Sequence, residues 1–310
     1  MPRVWVLLMG AGILMFGLMI SGVMVIGRVL PTQELAYISS GYTHFDLVLL
    51  DLYHRIQVPI FKQVLMFSWS PNGEQIVFSG YGGSNELYIM DVYGHRIQRL
   101  TNNQARNLSP SWSPDGKKIV FSSNYAGNEA IYVMPVDCKD TFEHCTTRLT
   151  PNDNRLYVSP VWSPNDQQIA FVSMLSIVIG ADSSSGKPEI YVMDLNGNHI
   201  QQLTQNPDES YTPAWSPDGR YLAYLGVNRT AQSASTMIMD TECSGTTPCT
   251  YSLFSASTTP DPSWSSDGNS IVFAGDFNGS IELYITDTQG RYLQRITYNN
   301  MQESIPRWRP

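Results

Sequence analysis

The residues of this chain that could carry chemistry are few and widely spread. Four cysteines fall into two local pairs, Cys138 with Cys145 and Cys243 with Cys249. A zinc site would need a C-x-x-C motif or histidines at ligand spacing from both pairs, and the sequence has neither. Each pair brackets a polar loop between two strand-like runs, 131–135 and 147–150 in one case, 236–240 and 251–254 in the other. Thiols placed across a hairpin lie within bridging range, and closing so short a loop would stabilise by about 2–3 kcal/mol on a chain-entropy account. The alternative is four unpaired small residues in turns. Asp115, Asp218 and Asp267 could ligate calcium, yet each stands in an Asp-Gly turn sequence, where it is a turn former. His54, His95 and His199 each follow an apolar run closed by an aspartate, so they share one slot of a repeat and do not converge as three zinc ligands would. His44 and His144 are single loop histidines. No P-loop, His-Glu-x-x-His, EF-hand or dinucleotide fingerprint is present. No catalytic residue, metal site or cofactor is therefore expected.

The elements that would position these residues come from a repeat. Ser109-Pro-Ser-Trp-Ser-Pro-Asp-Gly-Lys-Lys-Ile-Val-Phe-Ser122 reads as a strand, a tight turn and an alternating strand, and 212–224 is a second copy. Trp69, Trp112, Trp162, Trp215, Trp264 and Trp308 mark successive units at spacings of 43, 50, 53, 49 and 44 residues. Each full unit has four strand slots, here A to D: A ends in Trp-Ser-Pro, B alternates, C is an apolar run closed by Asp, and D is short. Four strands in 40–50 residues is the signature of a propeller blade. The first unit lacks slot A, while residues 305–310 are slot A alone. Pairing of the two ends predicts an all-β, six-bladed β-propeller over 35–310, which removes the edges that an open array would expose. The tryptophans, recurring at one slot, are expected to be packing wedges between blades. Glu86, Glu129, Glu189 and Glu282 recur at the start of slot C and are expected to be structural for the same reason.

The run Ser-x-Trp-Ser-Pro-Asp-Gly, an alternating strand and then Ile-Tyr-Val-Met-Asp resembles the TolB-like β-propeller repeat, a relative of the WD-repeat blade. The resemblance covers about residues 35–310. It implies fold and leaves function open, because such blades serve many roles. Members of the peptidase branch carry a Gly-x-Ser-x-Gly elbow in an added domain, and that motif is missing here. For the family the resemblance implies an extra α/β domain before the propeller, and none is expected here, with no room between Glu34 and Leu35.

Residues 1–3 are a short flank to an uncharged apolar run over 4–27, which is long enough as a helix to cross a hydrocarbon core about 30 Å thick. It exceeds the roughly 7–15 residues of a signal-peptide core, and no small-x-small cleavage site follows. A single transmembrane helix is expected, joined to the propeller by a linker over 28–34. Arg3 and Arg28 flank the run and give only a slight lean to a cytoplasmic N-terminus. The paired cysteines place the propeller on the extracytoplasmic side, periplasmic or extracellular, with the chain in the plasma membrane. The net charge of −8 and the pI of about 5.1 leave no electrostatic footprint for nucleic acid.

In a repeat, function sits in what does not repeat. The longest insertion, 174–188, joins slots B and C of the fourth unit, and its first half holds Met174, Leu175, Ile177 and Ile179. It is either a longer hairpin or a contact surface. Arg106, Arg155, Tyr157 and Tyr211 lie in the D–A connections, which share a face with the B–C loops. The A–B turn side is expected to face the bilayer, because the last few linker residues reach only roughly 17 Å. The loop-rich face would then point away, toward a protein partner. The leading expectation is an interaction module or accessory subunit of a membrane or envelope complex. The alternatives are a small-molecule or glycan sensor using the channel and, further off, a channel-centred hydrolase or lyase.

Overall fold

A blade of four antiparallel strands has two apolar faces and can cover neither by itself. In the computed structural model six such sheets cover one another in a ring. It describes residues 5–9, 13–20, 23–28, 34–40, 45–53, 55–80, 85–176, 186–205, 207–243, 249–256, 261–277, 279–299 and 301–310. Blades 2 to 6 follow chain order, each with strands A to D side by side. Their A strands are Val64–Trp69, Asn107–Trp112, Arg155–Trp162, Glu209–Trp215 and Ser263–Trp264. Blade 1 is the predicted composite, with strand order Gln302–Trp308, Glu34–Ser40, Phe45–Asp51 and Ile56–Lys62. The register pairs Trp308 with Leu35, Arg307 with Ala36 and Gln302 with Ser40. The six A strands touch one another in sequence and form the innermost layer.

Six apolar clusters hold the ring, one at each junction. Each contains the tryptophan of one blade against B- and C-strand residues of the blade before it. Trp112 meets Val77, Leu87 and Ile89 of blade 2. Trp308 meets Val272, Ala274 and Leu283 of blade 6. Two of the indoles also reach across with hydrogen bonds: Trp69 Nε1 donates to the Arg307 carbonyl at 3.2 Å and Trp264 Nε1 to that of Ala214 at 3.1 Å. The A–B turns use a fixed device. Ser113 Oγ donates to Asp115 Oδ1 at 2.7 Å, Lys117 N donates to the same oxygen, and Gly116 takes φ 70°. The C–D turns use another: Gly197 has φ +81°, and a Cβ there would lie 2.1 Å from the Leu149 carbonyl oxygen of the preceding blade.

The cysteines pair as read. Cys138–Cys145 and Cys243–Cys249 are disulfides with Cα separations of 5.8 and 5.5 Å, in the C–D connections of blades 3 and 5. In blade 3 the bridged loop also winds the short helix Phe142–Cys145.

The N-terminal run differs from expectation. Its described residues are strands, Trp5–Met9, Ile13–Ile20 and Val23–Arg28, in an antiparallel sheet of their own. Among the described residues no helix is long and apolar enough to cross a membrane. The physical reason for the mismatch lies in the composition. An apolar run without polar punctuation has no period to separate helix from strand. Glycines at 10, 12, 17, 22 and 27 lower helix propensity further.

Closure of blade 1 is the step most exposed to mutation. Trp308→Ala is expected to lower unfolding stability by about 3–5 kcal/mol, read as a shift in the denaturation midpoint. Gly197→Ala, strained in φ and in space, is expected to lower it by at least about 1 kcal/mol.

Candidate functional site

The pattern of burial in the A strands decides what the axis of the ring presents. The tryptophans of blades 1 to 4 and 6, and the residue two before each of them, are buried, whereas the residues one and three before are partly exposed except for Ser263. On the innermost layer that exposed set lines the central channel. One level holds Met66, Ser109, Ser159, Thr212, Asp261 and Ile305. The other holds Ser68, Ser111, Val161, Ala214, Ser263 and Arg307. Ser109 Oγ lies 2.9 Å from Met66 Sδ in the neighbouring blade, so the first level runs on from blade 2 to blade 3. Ser109, Ser159, Thr212 and Ile305 take φ of 46–52° just ahead of a proline, where each strand bulges. Threonine and isoleucine pay steric strain in that conformation, and bulges re-aim side chains.

Two of these twelve side chains are charged, Asp261 in blade 6 and Arg307 in blade 1. Burial pushes the Asp261 carboxyl up, opposed by the Arg307 charge, the Thr212 hydroxyl and the Ile305 amide. Burial holds the Arg307 guanidinium down, opposed by Asp261. Both keep some solvent-accessible surface while protein encloses them, as in a narrow wet channel. The otherwise neutral wall is thus polarised along one seam, the one where the ring closes.

A second electrostatic feature lies at the same seam, toward the B–C loops. Glu303 and Glu282 are both 0 % exposed. Glu303 Oε1 accepts from Asn299 Nδ2 at 2.6 Å and Ser39 Oγ at 3.4 Å, and its Oε2 is buried without a hydrogen bond. Glu282 pairs with Arg295 at 2.5 Å. Burial, together with the Glu282 charge, pushes the Glu303 carboxyl up to about 7.

The recurrent glutamates prove to be anchors. Glu86 accepts from Thr101 Oγ1 at 2.5 Å and from the Asn103 and Gln104 amides, while Thr101 Oγ1 accepts from Leu87 N at 2.9 Å. Glu189 with Thr204 repeats the device in blade 4. His199 sits beside Asp194 on the rim, 2.8 Å away, and His144 beside Asp140, so these imidazoles stay in separate blades. Among the described residues no group of three or more His, Cys, Asp or Glu gathers as a metal site.

The partner-face candidates are dispersed. Tyr157 is buried, its hydroxyl donating to Asp153 at 2.8 Å, and is unavailable to a partner. Arg106 is half exposed and pairs with Glu129. Arg155 Nε donates to Ser173 Oγ at 2.7 Å and the guanidinium lies over the Tyr191 ring. Tyr211 donates to Glu209, and burial with that carboxylate pushes its hydroxyl up to about 12. Met174 packs in the blade 4–5 cluster, Leu175 is exposed, and Leu175 N donates to the Gly186 carbonyl at 3.2 Å, which prolongs the hairpin. Ile177 and Ile179 lie outside the described residues. Sequence reasoning missed Asp261 and Arg307. The one signal was a charge at an A-strand position where the other blades carry small or neutral residues.

The ring is thus a six-bladed propeller whose recurring polar groups are spent on its own turns. The chain belongs to the TolB beta propeller (PD40) family, which it matches over residues 29–177 and 147–310. It is 28 % identical over 178 residues to the Tol-Pal system protein TolB of Francisella tularensis, spanning 56 % of this chain and 37 % of the relative. It is 30 % identical over 135 residues to a TolB homolog of Chlorobium chlorochromatii, spanning 44 % and 29 %. The matches thus span about a third of these curated relatives. The crystal structure of TolB from Acinetobacter baumannii superposes with a TM-score of 0.74 at 21 % identity, over 90 % of this chain and 67 % of that one, a likeness of fold.

Because Glu303 holds its proton to about pH 7 in the folded state and releases it near 4.5 unfolded, the folded state binds more protons between those values. Stability therefore falls as pH rises through that window, by up to about 3 kcal/mol. Glu303→Gln is expected to flatten this slope and to raise the melting temperature at pH 8.

Proposed function

We propose that this chain is an extracytoplasmic propeller, tethered to a membrane by its N-terminal run, that acts as an interaction module of an envelope complex rather than as an enzyme. The observation that carries the reading is membership of the TolB propeller family, with relatives bearing the name Tol-Pal system protein. The two disulfides support an oxidising, extracytoplasmic compartment, periplasmic or extracellular. The partner surface in this reading is the face of the B–C and D–A loops. It exposes Phe45, Tyr298 and Met301 beside the closing seam, with Arg106, Arg229 and Leu175 further round. Exposed aromatics and arginines are the residue types that anchor protein interfaces. Membrane entry by 4–27 requires that run to trade its strands for a helix, because an open sheet leaves edge amides unpaired in hydrocarbon.

A second reading, a sensor of a small polar ligand, is favoured by the opposed charges of Asp261 and Arg307 in the channel. A zwitterion could meet both.

Gentle detergent extraction is expected to co-purify a stoichiometric protein. The pair Phe45→Ser with Tyr298→Ser is expected to weaken that association by at least about tenfold without changing the melting temperature. A partner retained in full by this variant would overturn the assignment of the face. The tether predicts that the full chain resists alkaline carbonate washing of membranes and that removal of residues 4–27 releases it. Asp261→Asn separates the readings, since it leaves the protein complex intact and abolishes any ligand-induced rise in melting temperature.

A further inference from the structure

Strand order fixes which ends of the blades share a face: the A–B and C–D turns lie together, opposite the B–C and D–A loops. The chain enters blade 1 at Glu34, whose register partner is Asp51, and Asp51 pairs in turn with Ile56. The entry point therefore sits against the C–D turn of blade 1, on the A–B/C–D face. The C–D turns of blades 6, 1 and 2, centred on that point, each carry an exposed tyrosine and an exposed arginine, which the other three lack. Tyr53 is 81 % exposed and Tyr93 72 %, and Tyr292 is exposed beside them. Arg55 and Arg96 are exposed in the same turns. Arg291 pairs with Asp287 at 2.6 Å yet keeps 72 % of its side chain in solvent. Ile56, Ile97 and Leu293 add exposed aliphatic surface next to them. The remaining C–D connections, 136–146, 195–200 and 241–249, contain neither tyrosine nor arginine. The aspartates of the three turns point inward: Tyr53 N, Tyr93 N and Arg291 N donate to Asp51, Asp91 and Asp287 at 2.8, 3.0 and 2.8 Å. The turns thus present aromatic and cationic groups outward and keep their carboxylates engaged.

Tyrosine, arginine and short aliphatic side chains are the mixture that settles at a membrane–water boundary, where the ring or stem meets the acyl edge and the polar tip meets headgroups. The geometry points to a bilayer-facing surface: the A–B/C–D face around the entry into blade 1 rests on the phospholipid headgroup layer through Tyr53, Tyr93, Tyr292, Arg55, Arg96 and Arg291. A cleft of about 540 Å³ in this face, lined by Tyr93, Arg96, Arg309, Glu74 and Asp91, offers both signs of charge to a headgroup. The surface orients the propeller so that the loop face, with the proposed partner site, points away from the lipid.

This inference rests on the tether described under Proposed function, and the test separates the two. The full chain is placed in nanodiscs of phosphatidylethanolamine and phosphatidylglycerol, and amide hydrogen exchange is compared with that in nonionic detergent. Residues 52–56, 92–97 and 288–293 are expected to exchange several-fold more slowly in nanodiscs, with 126–128 and 229–232 on the opposite face unchanged. The variant Tyr53→Ser, Tyr93→Ser, Tyr292→Ser, altered only at exposed positions, is expected to lose that protection at an unchanged melting temperature. A chain that resists alkaline washing but shows no slowing in the three turns overturns the lipid-facing surface and leaves the tether standing. A chain released by the wash overturns both. Protection confined to the opposite face, or protection of the three turns that grows with protein concentration in detergent, would overturn it in favour of a protein partner or a second copy.

Discussion

The pairing of Gln302–Trp308 with Glu34–Ser40 joins segments some 264 residues apart, as the Ser39–Glu303 contact measures it. Each blade covers the apolar face of its neighbour, so an unclosed array would leave one face of blade 1 and one of blade 6 bare. The closing strand places Trp308 on blade 6 and sends the Arg307 carbonyl to the Trp69 indole of blade 2. A single strand thereby supplies contacts to three blades. Its loop-closure cost is large but grows only slowly with length, whereas the apolar surface it covers is proportional to area.

The same seam concentrates the unusual electrostatics. Asp261 of blade 6 and Arg307 of the closing strand face the channel beside it, and Glu303 of the same strand is buried with Glu282 at its other end. Elsewhere the repeat spends its carboxylates on itself, in Asx-type turns and in the glutamate–threonine clamps. A junction made from the two ends of the chain is a place where the repeat pattern does not dictate the side chains. It is where charge is buried without the repeat's own partners, and it is also where the chain can acquire a property the other five junctions lack.

Legibility follows from this division. The tryptophan spacing, the Trp-Ser-Pro turn chemistry and the incomplete end units carried enough redundancy for blade count, composite closure and both disulfides to be read from residues alone. Side chains that occur once had no such support. Asp261 and Arg307 each break the small or neutral pattern of their slot only once, and at Arg307 the strand also bulges, which no local propensity announces. Glu303 follows a polar connection and has no counterpart in the repeat, yet the register with Ser39 carries it inside. Tyr157 read as a face residue for the same reason and is a core ring packed on Phe171. The 4–27 run read as a membrane-crossing helix, whereas its described residues are strands, because helix and strand satisfy the same uniformly apolar pattern.

The two faces of a propeller are not equivalent once the chain enters from one of them. In blades 6, 1 and 2 the C–D turns flank the entry point, and they differ from those of blades 3, 4 and 5 in a way that fold stability does not require. The turn device needs its Asp acceptor and, where the turn packs on a neighbouring carbonyl, its glycine. Neither asks for an exposed tyrosine. Gly197 serves blade 4 with Asn and His around it, while Gly94, where a Cβ would lie 2.4 Å from the Ile60 carbonyl oxygen, has Tyr93 and Arg96 beside it. The local fold is the same and the outward chemistry differs, so the difference belongs to what lies outside the ring. Aromatic and cationic tips on the entry side, with arginines and aromatics on the loop side, are what the proposed lipid surface and the proposed partner surface would each require.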